Sequence, residues 1–225
     1  MTYHLLIGNK NYSSWSLRPW LLMRAFEIDF VEDRVPLDTP EFAAEVASGK
    51  RSPNGRVPCL TDGDRRVWDS LAIAEYLAER HPGLWPADGS ARAHARCACA
   101  EMHSGFGALR HWLPMCVRRR YPLATLRADV ERDVARITAL WTEARTHFAG
   151  LSPGGPWLYG AFSVADAYFA PVAFRFQTYG VITAGPAAEW MTAILAHPAM
   201  QEWAEAAAAE PEVIPHDEPE HVHGR

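Results

Sequence analysis

The sequence predicts an α/β domain followed by an all-α domain, and two observations support this fold class. Over residues 1–80, short apolar runs of strand length alternate with segments of helical periodicity, in the order β-α-β-α-β-β-α. Beyond residue 90 the pattern is almost wholly helical. The segment between them, residues 81–90 (HPGLWPADGS), carries two prolines and two glycines, which is typical of a domain boundary.

Each predicted element of the first domain has its own signal. Residues 3–7 form an apolar run that ends at Gly8, and residues 14–26 place Leu17 and Leu21 one turn apart. Asp-Gly at 62–63 separates two short apolar runs, which is a hairpin signal. The predicted strands are 3–7, 30–35, 57–61 and 65–68, and the predicted helices are 14–26, 40–47 and 69–80.

The second domain is predicted from helical periodicity alone. The candidate helices are 91–117, 125–148, 163–179, 186–195 and 198–209. We therefore expect a first domain over residues 1–81 and a helical domain over residues 91–210. Residues 211–225 are rich in Pro, Glu and His, which predicts a loose C-terminal tail.

Composition and charge exclude several classes of function. The chain has 225 residues, of which 48% are hydrophobic and 22% charged, as in ordinary globular proteins. Its net charge of -5 argues against nucleic acid or an anionic membrane as the main partner, because both select basic patches. No apolar run approaches the roughly 18–20 residues of a membrane span, and the N-terminus lacks a signal-peptide pattern. The expectation is a cytoplasmic protein.

The cysteines and histidines predict no metal site. Cys97 and Cys99 lie two residues apart on a predicted helix and so point to different faces, and no CxxC pair occurs. His216, His221 and His223 fall in the predicted tail, where we expect them to be solvated. Cys59 follows a proline, whereas a disulfide-exchange enzyme of this pattern would have its cysteine at the start of the first helix.

The first chemical motif is a pair of serines, Ser13 and Ser14, where the first strand joins the first helix. One hydroxyl can cap the exposed amides of the helix start, and the other can point at an anion attracted by those amides and by the helix dipole. A thiolate there would be stabilised, because a free thiol titrates near about 8.5 and such surroundings lower its pKa. Taken alone, the pair also fits two plain caps.

The second motif is a loop that ends in Arg56-Val57-Pro58, just before a predicted strand. A cis bond between Val57 and Pro58 would leave the N–H and C=O of Val57 free to pair with a peptide-like ligand. A proline that merely starts an edge strand is the simpler alternative when the loop is considered alone.

The third motif is Asp69-Ser70 at the junction between the hairpin and the next helix. Ser70 is a suitable cap whose hydroxyl and amide can also bind a carboxylate. Asp69 beside it can accept from an ammonium group. A carboxylate site next to an ammonium site matches the α-amino acid end of a ligand, and the three motifs in this order form a strong combined signal.

These residues resemble the glutathione site of the soluble glutathione transferases, and the resemblance spans nearly the whole chain. The serine-bearing first turn is closest to the zeta and related bacterial classes. The resemblance implies a thioredoxin-like first domain, a helical-bundle second domain and a homodimer. Ser163 and Asp166 are similar to the helix-capping box of that family, where the two residues serve folding.

The resemblance also implies roles for individual residues. Ser13 matches the serine that hydrogen-bonds the glutathione sulfur, with Ser14 as its neighbour at the helix start. Val57, ahead of a cis Pro58, would pair with the cysteinyl part. The remaining glutathione-binding candidates are Asp69 and Ser70 for the γ-glutamyl group and Arg56 and Lys50 for the glycyl carboxylate.

The second domain is expected to supply the pocket for a second substrate. Glu101 and His103 resemble a stretch of the beta-class bacterial transferases, in which the glutamate reaches the γ-glutamyl ammonium across a dimer interface. Trp15 stands where the zeta class has cysteine, which disfavours a zeta-type isomerase. The predicted second-substrate pocket comprises Trp15, His103, Arg110 and Trp112, with Met115 and Phe174 as further possible walls.

The function that the resemblance implies is transfer of the glutathione thiolate to a small electrophile, with glutathione as co-substrate and no metal. Three alternatives stay open at this point. The first is a glutathione-dependent isomerase acting on a maleyl-type acid, which an arginine in the pocket, Arg110 or Arg175, would favour. The second is a glutathione-dependent dehalogenase. The third is a non-catalytic binding module of the same fold.

Overall fold

The first domain is built on a four-stranded mixed sheet. In the computed structural model, which describes residues 2–151 and 154–223, the strands are β1 (Tyr3–Ile7), β2 (Phe30–Arg34), β3 (Cys59–Asp62) and β4 (Arg65–Val67). Their order is β2-β1-β3-β4, with β1 parallel to β2 and antiparallel to β3. The parallel pair requires a crossover connection, which is helix α1 (Ser14–Ala25).

Two further helices complete this domain. Helix α2 (Pro40–Phe42) continues into a π-helical turn over Ala43–Ala47, and α3 (Ser70–Ala78) follows the hairpin. The predicted order β-α-β-α-β-β-α is therefore confirmed, and the domain is thioredoxin-like. The apolar sides of β1, α1 and α3 pack together, which fixes the start of α1 and the start of α3 relative to each other.

The second domain is a bundle of helices. Its members are α4 (Gly89–Ser104), α5 (Gly107–Trp112), α6 (Ala128–Glu143), α7 (Val164–Tyr179), α8 (Gly185–Ala196), α9 (Pro198–Ala209) and α10 (Pro219–His223). Almost every residue of α7 is buried, since this helix lies at the centre of the bundle and also packs against α1 of the first domain. The predicted all-α second domain is confirmed. In the two described ranges, no helix has the length and apolarity required to cross a bilayer.

The prediction of a single helix over residues 91–117 is wrong, because the helix is interrupted between α4 and α5. Phe106 adopts a left-handed backbone conformation with φ of 60°. A side chain at Gly105 would bring a Cβ to 2.8 Å from the carbonyl oxygen of Glu101, so glycine permits the close turn. The break lets Arg110 fold back, and its Nε donates to the carbonyl of Gly105 at 3.0 Å.

The predicted capping box holds the start of α7. The Asp166 carboxylate accepts from the Ser163 N–H at 2.9 Å, the Ser163 hydroxyl at 3.1 Å and the Leu158 N–H at 2.9 Å. It also accepts from Trp190 Nε1 of α8 at 2.8 Å. Asp166 is fully buried, and burial raises its pKa to about 6. Burial disfavours the charged form of Asp166, and the four hydrogen-bond donors offset part of that cost.

The C-terminal residues differ from the loose tail that composition predicts, because residues 211–223 pack on the body of the protein. Ile214 is buried against Tyr12 and Cys116. Glu218 is buried and pairs with Arg118 at 2.8 Å and Arg119 at 2.9 Å. Composition alone suggested a solvated segment, since it could not show that basic residues elsewhere in the chain pair with this one.

The same C-terminal region holds the loop between β1 and α1. One oxygen of the buried Glu210 carboxylate accepts from the Lys10 N–H at 2.7 Å, and the other accepts from the Asn11 N–H at 3.0 Å. The Tyr12 hydroxyl donates to Glu218. The loop that carries Ser13 is therefore anchored by residues about 200 positions later in the chain.

Candidate active site between the two domains

Two adjoining cavities lie where the domains meet. The α1 cavity, about 360 Å³, opens beside the start of α1, and the α3 cavity, about 170 Å³, lies at the start of α3. Both are lined by Trp15, Arg56 and Val57. The α1 cavity is also lined by Tyr12, Ser13, Ser14, Leu37, Phe42, Arg110, Pro114, Met115, Arg175 and Asp217. The α3 cavity is also lined by Asn54, Pro58, Asp69, Ser70 and His103.

The two serines at the start of α1 are in different environments. Ser13 is the N-cap: its Oγ accepts from the Ser16 N–H at 3.4 Å and donates to Ser16 Oγ at 2.7 Å. Ser14 Oγ accepts from Arg175 Nη2 at 3.2 Å. The Ser13 hydroxyl hydrogen is therefore used inside the helix, whereas the Ser14 hydroxyl hydrogen remains able to donate into the α1 cavity.

Arg175 links α7 to this helix start. Its side chain is buried, and it donates both to Ser14 and to the carbonyl of Leu113. Burial, together with the neighbouring Arg110 and Arg18, lowers its pKa to about 9. The guanidinium is therefore still charged at neutral pH, and it places a cation against the Ser14 hydroxyl.

Trp15 forms the wall shared by the two cavities and lies between two arginines. The Arg18 guanidinium carbon is 4.1 Å from the Trp15 ring centroid, and that of Arg110 is 4.7 Å away. Arg18 also lies 4.3 Å from the ring centroid of Tyr168. None of its guanidinium nitrogens has a hydrogen-bond partner within the described residues. Burial lowers the Arg18 pKa to about 10, and the two rings offer a cation–π environment.

The loop before β3 presents free backbone groups. The Val57–Pro58 bond is cis, as the family resemblance implies. Within residues 2–151 and 154–223, neither the N–H nor the C=O of Val57 takes part in a protein hydrogen bond. Since Val57 lines both cavities, its amide and carbonyl are available to an extended peptide-like ligand.

The start of α3 is capped by Asp69, whereas the sequence suggested Ser70. One Asp69 oxygen accepts from the Leu71 N–H at 3.0 Å and the Ala72 N–H at 3.4 Å. Ser70 is the first helical residue and is buried. An aspartate that precedes the first helical residue has the geometry of a strong N-cap, which leaves the Ser70 hydroxyl for other contacts.

His103 of α4 and Tyr168 of α7 join this junction to the second domain. His103 Nε2 lies 3.0 Å from Asp69 Oδ2, and its Nδ1 lies 2.8 Å from the Tyr168 hydroxyl. That hydroxyl lies 2.9 Å from Ser70 Oγ. His103 therefore belongs to the α3 cavity, where it contacts Asp69 directly and reaches Ser70 through the Tyr168 hydroxyl.

Four predicted site residues line neither cavity, and of these Phe174 is buried in the hydrophobic core. Lys50 pairs with Glu45 at 2.5 Å and its side chain is 66% exposed. Glu101 pairs with Arg136 at 2.7 Å on the outer face of the bundle. Trp112 lines a separate cavity, where the Arg127 guanidinium lies 4.3 Å from its ring centroid. Lys50, Glu101 and Trp112 thus have partners of opposite charge or of cation–π type outside the site.

Several residues of the site escaped the sequence reasoning, and four of them carry a phenol hydroxyl or a charge. These are Tyr12, Arg18, Tyr168 and Asp217. Arg18 is one helical turn after Ser14, and this spacing was a signal that could have been used. Tyr168 and Asp217 approach the site only through packing of distant segments, for which the sequence offers no local signal.

The fold and the site together define a class of two-domain proteins in which a thioredoxin-like domain presents a ligand cavity against a helical bundle. The family model "Glutathione S-transferase, N-terminal domain" matches residues 12–80, and "Glutathione S-transferase, C-terminal domain" matches residues 125–206. The chain belongs to the glutathione S-transferase family.

The three individual proteins compared next share less than a third of their aligned residues with this chain. A stringent starvation protein A homolog of Pasteurella multocida is 29% identical over 151 residues, 64% of each chain, so less than two-thirds of that protein is covered. A probable maleylacetoacetate isomerase of Caenorhabditis elegans is 31% identical over 44% of this chain and 45% of its own. A glutathione transferase homolog from Burkholderia gl BGR1, solved with bound glutathione, superposes with a TM-score of 0.65 at 22% identity. That superposition covers 93% of this chain and 100% of the other.

Proposed function

We propose that this protein is a glutathione transferase that stabilises the glutathione thiolate in the α1 cavity and directs it to a small electrophile. One observation carries the proposal: Ser14 accepts from the buried Arg175 cation, so its own hydrogen can donate to a sulfur at the start of α1. The helix N-terminus adds positive potential at the same place. A hydroxyl donor and the positive potential of a helix N-terminus, both facing one cavity, stabilise a thiolate that binds there.

The remaining glutathione contacts follow from the two cavities. The γ-glutamyl group occupies the α3 cavity, with its ammonium at Asp69 and its carboxylate at Ser70. The cysteinyl part pairs with the free backbone groups of Val57, and Arg56 reaches the glycyl carboxylate. The solved Burkholderia homolog holds bound glutathione, which supports the choice of ligand.

This proposal changes the role of the two serines relative to the sequence-based expectation. Ser14 is the sulfur donor, and Ser13 is the cap of α1. Each unit by which the thiol pKa falls corresponds to about 1.4 kcal/mol of preferential stabilisation of the thiolate. A hydroxyl hydrogen bond and a helix N-terminus together can supply that amount without a metal or a separate base.

Replacing Ser14 is expected to raise the pKa of bound glutathione. In Ser14→Ala, glutathione still binds but the pKa of its thiol rises by about one unit, and kcat/KM for conjugation falls roughly 10- to 100-fold. The measurements are calorimetric titration of glutathione and ultraviolet thiolate absorbance against pH.

Ser13→Ala is the matched control, because it removes a hydroxyl one residue away. It is expected to destabilise the fold by about 1 kcal/mol through loss of the cap while changing the thiol pKa less. If Ser13→Ala alone raised the thiol pKa, the donor would be Ser13. Glutathione binding without turnover of any electrophile would instead favour a non-catalytic binding module.

A second candidate function is isomerisation of a carboxylate-bearing substrate, and one observation favours it. Arg110 and Arg175 both line the α1 cavity beside Ser14, and guanidinium groups suit carboxylates. The curated relative of Caenorhabditis elegans is a probable maleylacetoacetate isomerase. Trp15 occupies the position at which the zeta class has cysteine, so conjugation stays the first proposal.

Arg110→Gln separates the two candidates. If the second substrate carries a carboxylate, kcat/KM for an anionic substrate is expected to fall at least about tenfold more than for a neutral one, since only the former loses an ion pair. The measurement compares a maleyl-type acid, followed by isomerisation, with a neutral aryl halide, followed by conjugation. Equal losses for both would remove the reason to prefer anionic substrates.

We also propose a cytoplasmic homodimer. Membership of a family in which dimers are common supports the assembly, and a second copy is the setting in which Glu101 could approach the γ-glutamyl ammonium. Sedimentation velocity of the purified chain tests the dimer directly.

A further inference from the structure

Four side chains around the α3 cavity form one continuous chain of hydrogen bonds. It runs from Ser70 Oγ to the Tyr168 hydroxyl at 2.9 Å, on to His103 Nδ1 at 2.8 Å, and from His103 Nε2 to Asp69 Oδ2 at 3.0 Å. Ser70 and Tyr168 are buried, and His103 lines the cavity. The direction in which each hydrogen points is therefore set by the neighbouring members of the chain.

With a neutral imidazole, the directions follow from the donor and acceptor inventory. A carboxylate oxygen only accepts, so His103 Nε2 carries the hydrogen and donates to Asp69. Nδ1 is then an acceptor and takes the hydrogen of Tyr168. Since Tyr168 has one hydrogen, Ser70 must donate to Tyr168. The Ser70 hydrogen then points away from the cavity, and its oxygen lone pairs face the ligand.

A proton on Nδ1 reverses the upper part of the chain. Imidazolium donates to the Tyr168 oxygen, Tyr168 turns its hydrogen to Ser70 Oγ, and the Ser70 hydrogen is released toward the cavity. The added proton comes from solvent, and the two hydroxyl hydrogens rotate without breaking an O–H bond. Only in this arrangement can the Ser70 hydroxyl donate to a carboxylate.

We propose that His103 and Tyr168 are positioning residues that couple the uptake of one proton to the binding of the ligand's α-carboxylate at Ser70. The inference rests on the proposed binding of glutathione at this site. It adds that His103, which the ligand does not need to contact, determines whether the Ser70 hydroxyl hydrogen points toward the ligand.

The groups that face His103 come from three helices and the cavity wall. Asp69 at the start of α3 and Tyr168 of α7 are the titratable groups in direct contact with the ring. Trp15 of α1 packs edge-on against the ring at 5.2 Å and carries no charge. Three arginines lie in the same region: Arg18 on the Tyr168 ring, Arg110 on the Trp15 ring and Arg56 on the cavity wall. The ligand's carboxylate at Ser70 adds a negative charge and its ammonium at Asp69 adds a positive one, so the coupling rests on the Ser70 hydrogen, which can donate to the carboxylate only when Nδ1 carries a proton.

The test is calorimetric titration of S-methylglutathione near neutral pH in phosphate and in Tris, which differ in ionisation enthalpy. The methyl group removes the thiol, so its deprotonation cannot contribute to the proton balance. The dependence of the observed enthalpy on the buffer gives the number of protons exchanged. We expect uptake of up to about one proton per site in the wild type, with affinity falling by up to about tenfold per pH unit as pH rises.

Two variants and a matched control identify the source of the proton. Tyr168→Phe keeps the ring against Arg18 but interrupts the chain, and His103→Gln can still donate to Asp69 but cannot take up the proton. Both are expected to bind with almost no proton exchange. The control is His94→Gln: on the same helix, His94 Nδ1 makes an equivalent contact with the Tyr159 hydroxyl at 2.7 Å, outside both cavities.

The outcomes separate the inference from the proposed function. Proton uptake in the wild type and His94→Gln, lost in Tyr168→Phe and His103→Gln, supports the coupling. Binding without proton exchange in the wild type overturns the coupling but leaves the transferase proposal intact, as does uptake that persists in Tyr168→Phe. If neither glutathione nor its S-methyl derivative binds, the proposed function fails and the coupling fails with it.

Discussion

Asp166→Ala is expected to lower the free energy of unfolding by about 3 kcal/mol or more. The substitution leaves four donors without their acceptor: two backbone N–H groups, the Ser163 hydroxyl and the indole of Trp190. Each buried donor that loses its partner costs about 1–3 kcal/mol, and the relief from burying a charge offsets only part of the sum. The lost hydrogen bonds lie at the start of α7, a helix that packs against elements of both domains.

Urea unfolding followed by tryptophan fluorescence and circular dichroism measures the effect. Asp166→Asn keeps one acceptor oxygen and is expected to lie between the wild type and Asp166→Ala. The control is Asp129→Ala, another aspartate in the first turn of a helix, whose side chain is 34% exposed and for which we expect little change. A loss in Asp166→Ala no larger than in the control would mean that the buried donors find other partners.

Glu218→Ala is expected to lower the free energy of unfolding by about 2 kcal/mol. The carboxylate accepts from the Tyr12 hydroxyl and pairs with Arg118 and Arg119. Burial would raise the pKa of Glu218, but these hydrogen bonds outweigh it and hold the pKa below its usual value. The stabilisation is therefore complete above the ordinary glutamate pKa of about 4.5 and is lost as pH falls below it.

Glu220→Ala is the matched control, since Glu220 lies two residues away, is half exposed and approaches Arg119 only to 3.7 Å. We expect it to change the unfolding midpoint little. The two variants should also converge with the wild type in strong acid, where both carboxyls are neutral. A Glu218→Ala protein as stable as Glu220→Ala at neutral pH would show that the C-terminal segment contributes little to the fold.

Much of the fold could be predicted from the sequence because its signals are local. Asp-Gly marks the β3–β4 hairpin, and helical spacing of apolar residues marks α1 and α3. The break between α4 and α5 could not be placed in this way, since Phe106 in a left-handed conformation is stabilised by contacts and not by its own propensity.

The candidate site also contains one feature that the sequence indicated and two that only the packing of distant segments creates. The cis bond at Val57–Pro58 was predictable only through the family resemblance, because most X-Pro bonds are trans and the loop taken alone fits a plain edge-strand proline. The difference between Ser13 and Ser14 was not, because it depends on Arg175, which is 161 residues away in the chain. The link from Ser70 to His103 through Tyr168 was equally hidden, since it needs three helices to pack first.

The anchoring of the β1–α1 loop by Glu210 and Glu218 also sets an order of events during synthesis. The amides of Lys10 and Asn11 leave the ribosome about 200 residues before their acceptor, Glu210. A nascent chain can therefore form the first sheet and helix while the turn that carries Ser14 still lacks its support. The turn at the start of α1 is therefore completed only once residues 210–218 have been made, so a chain that lacks them would not hold Ser14 in the position described above.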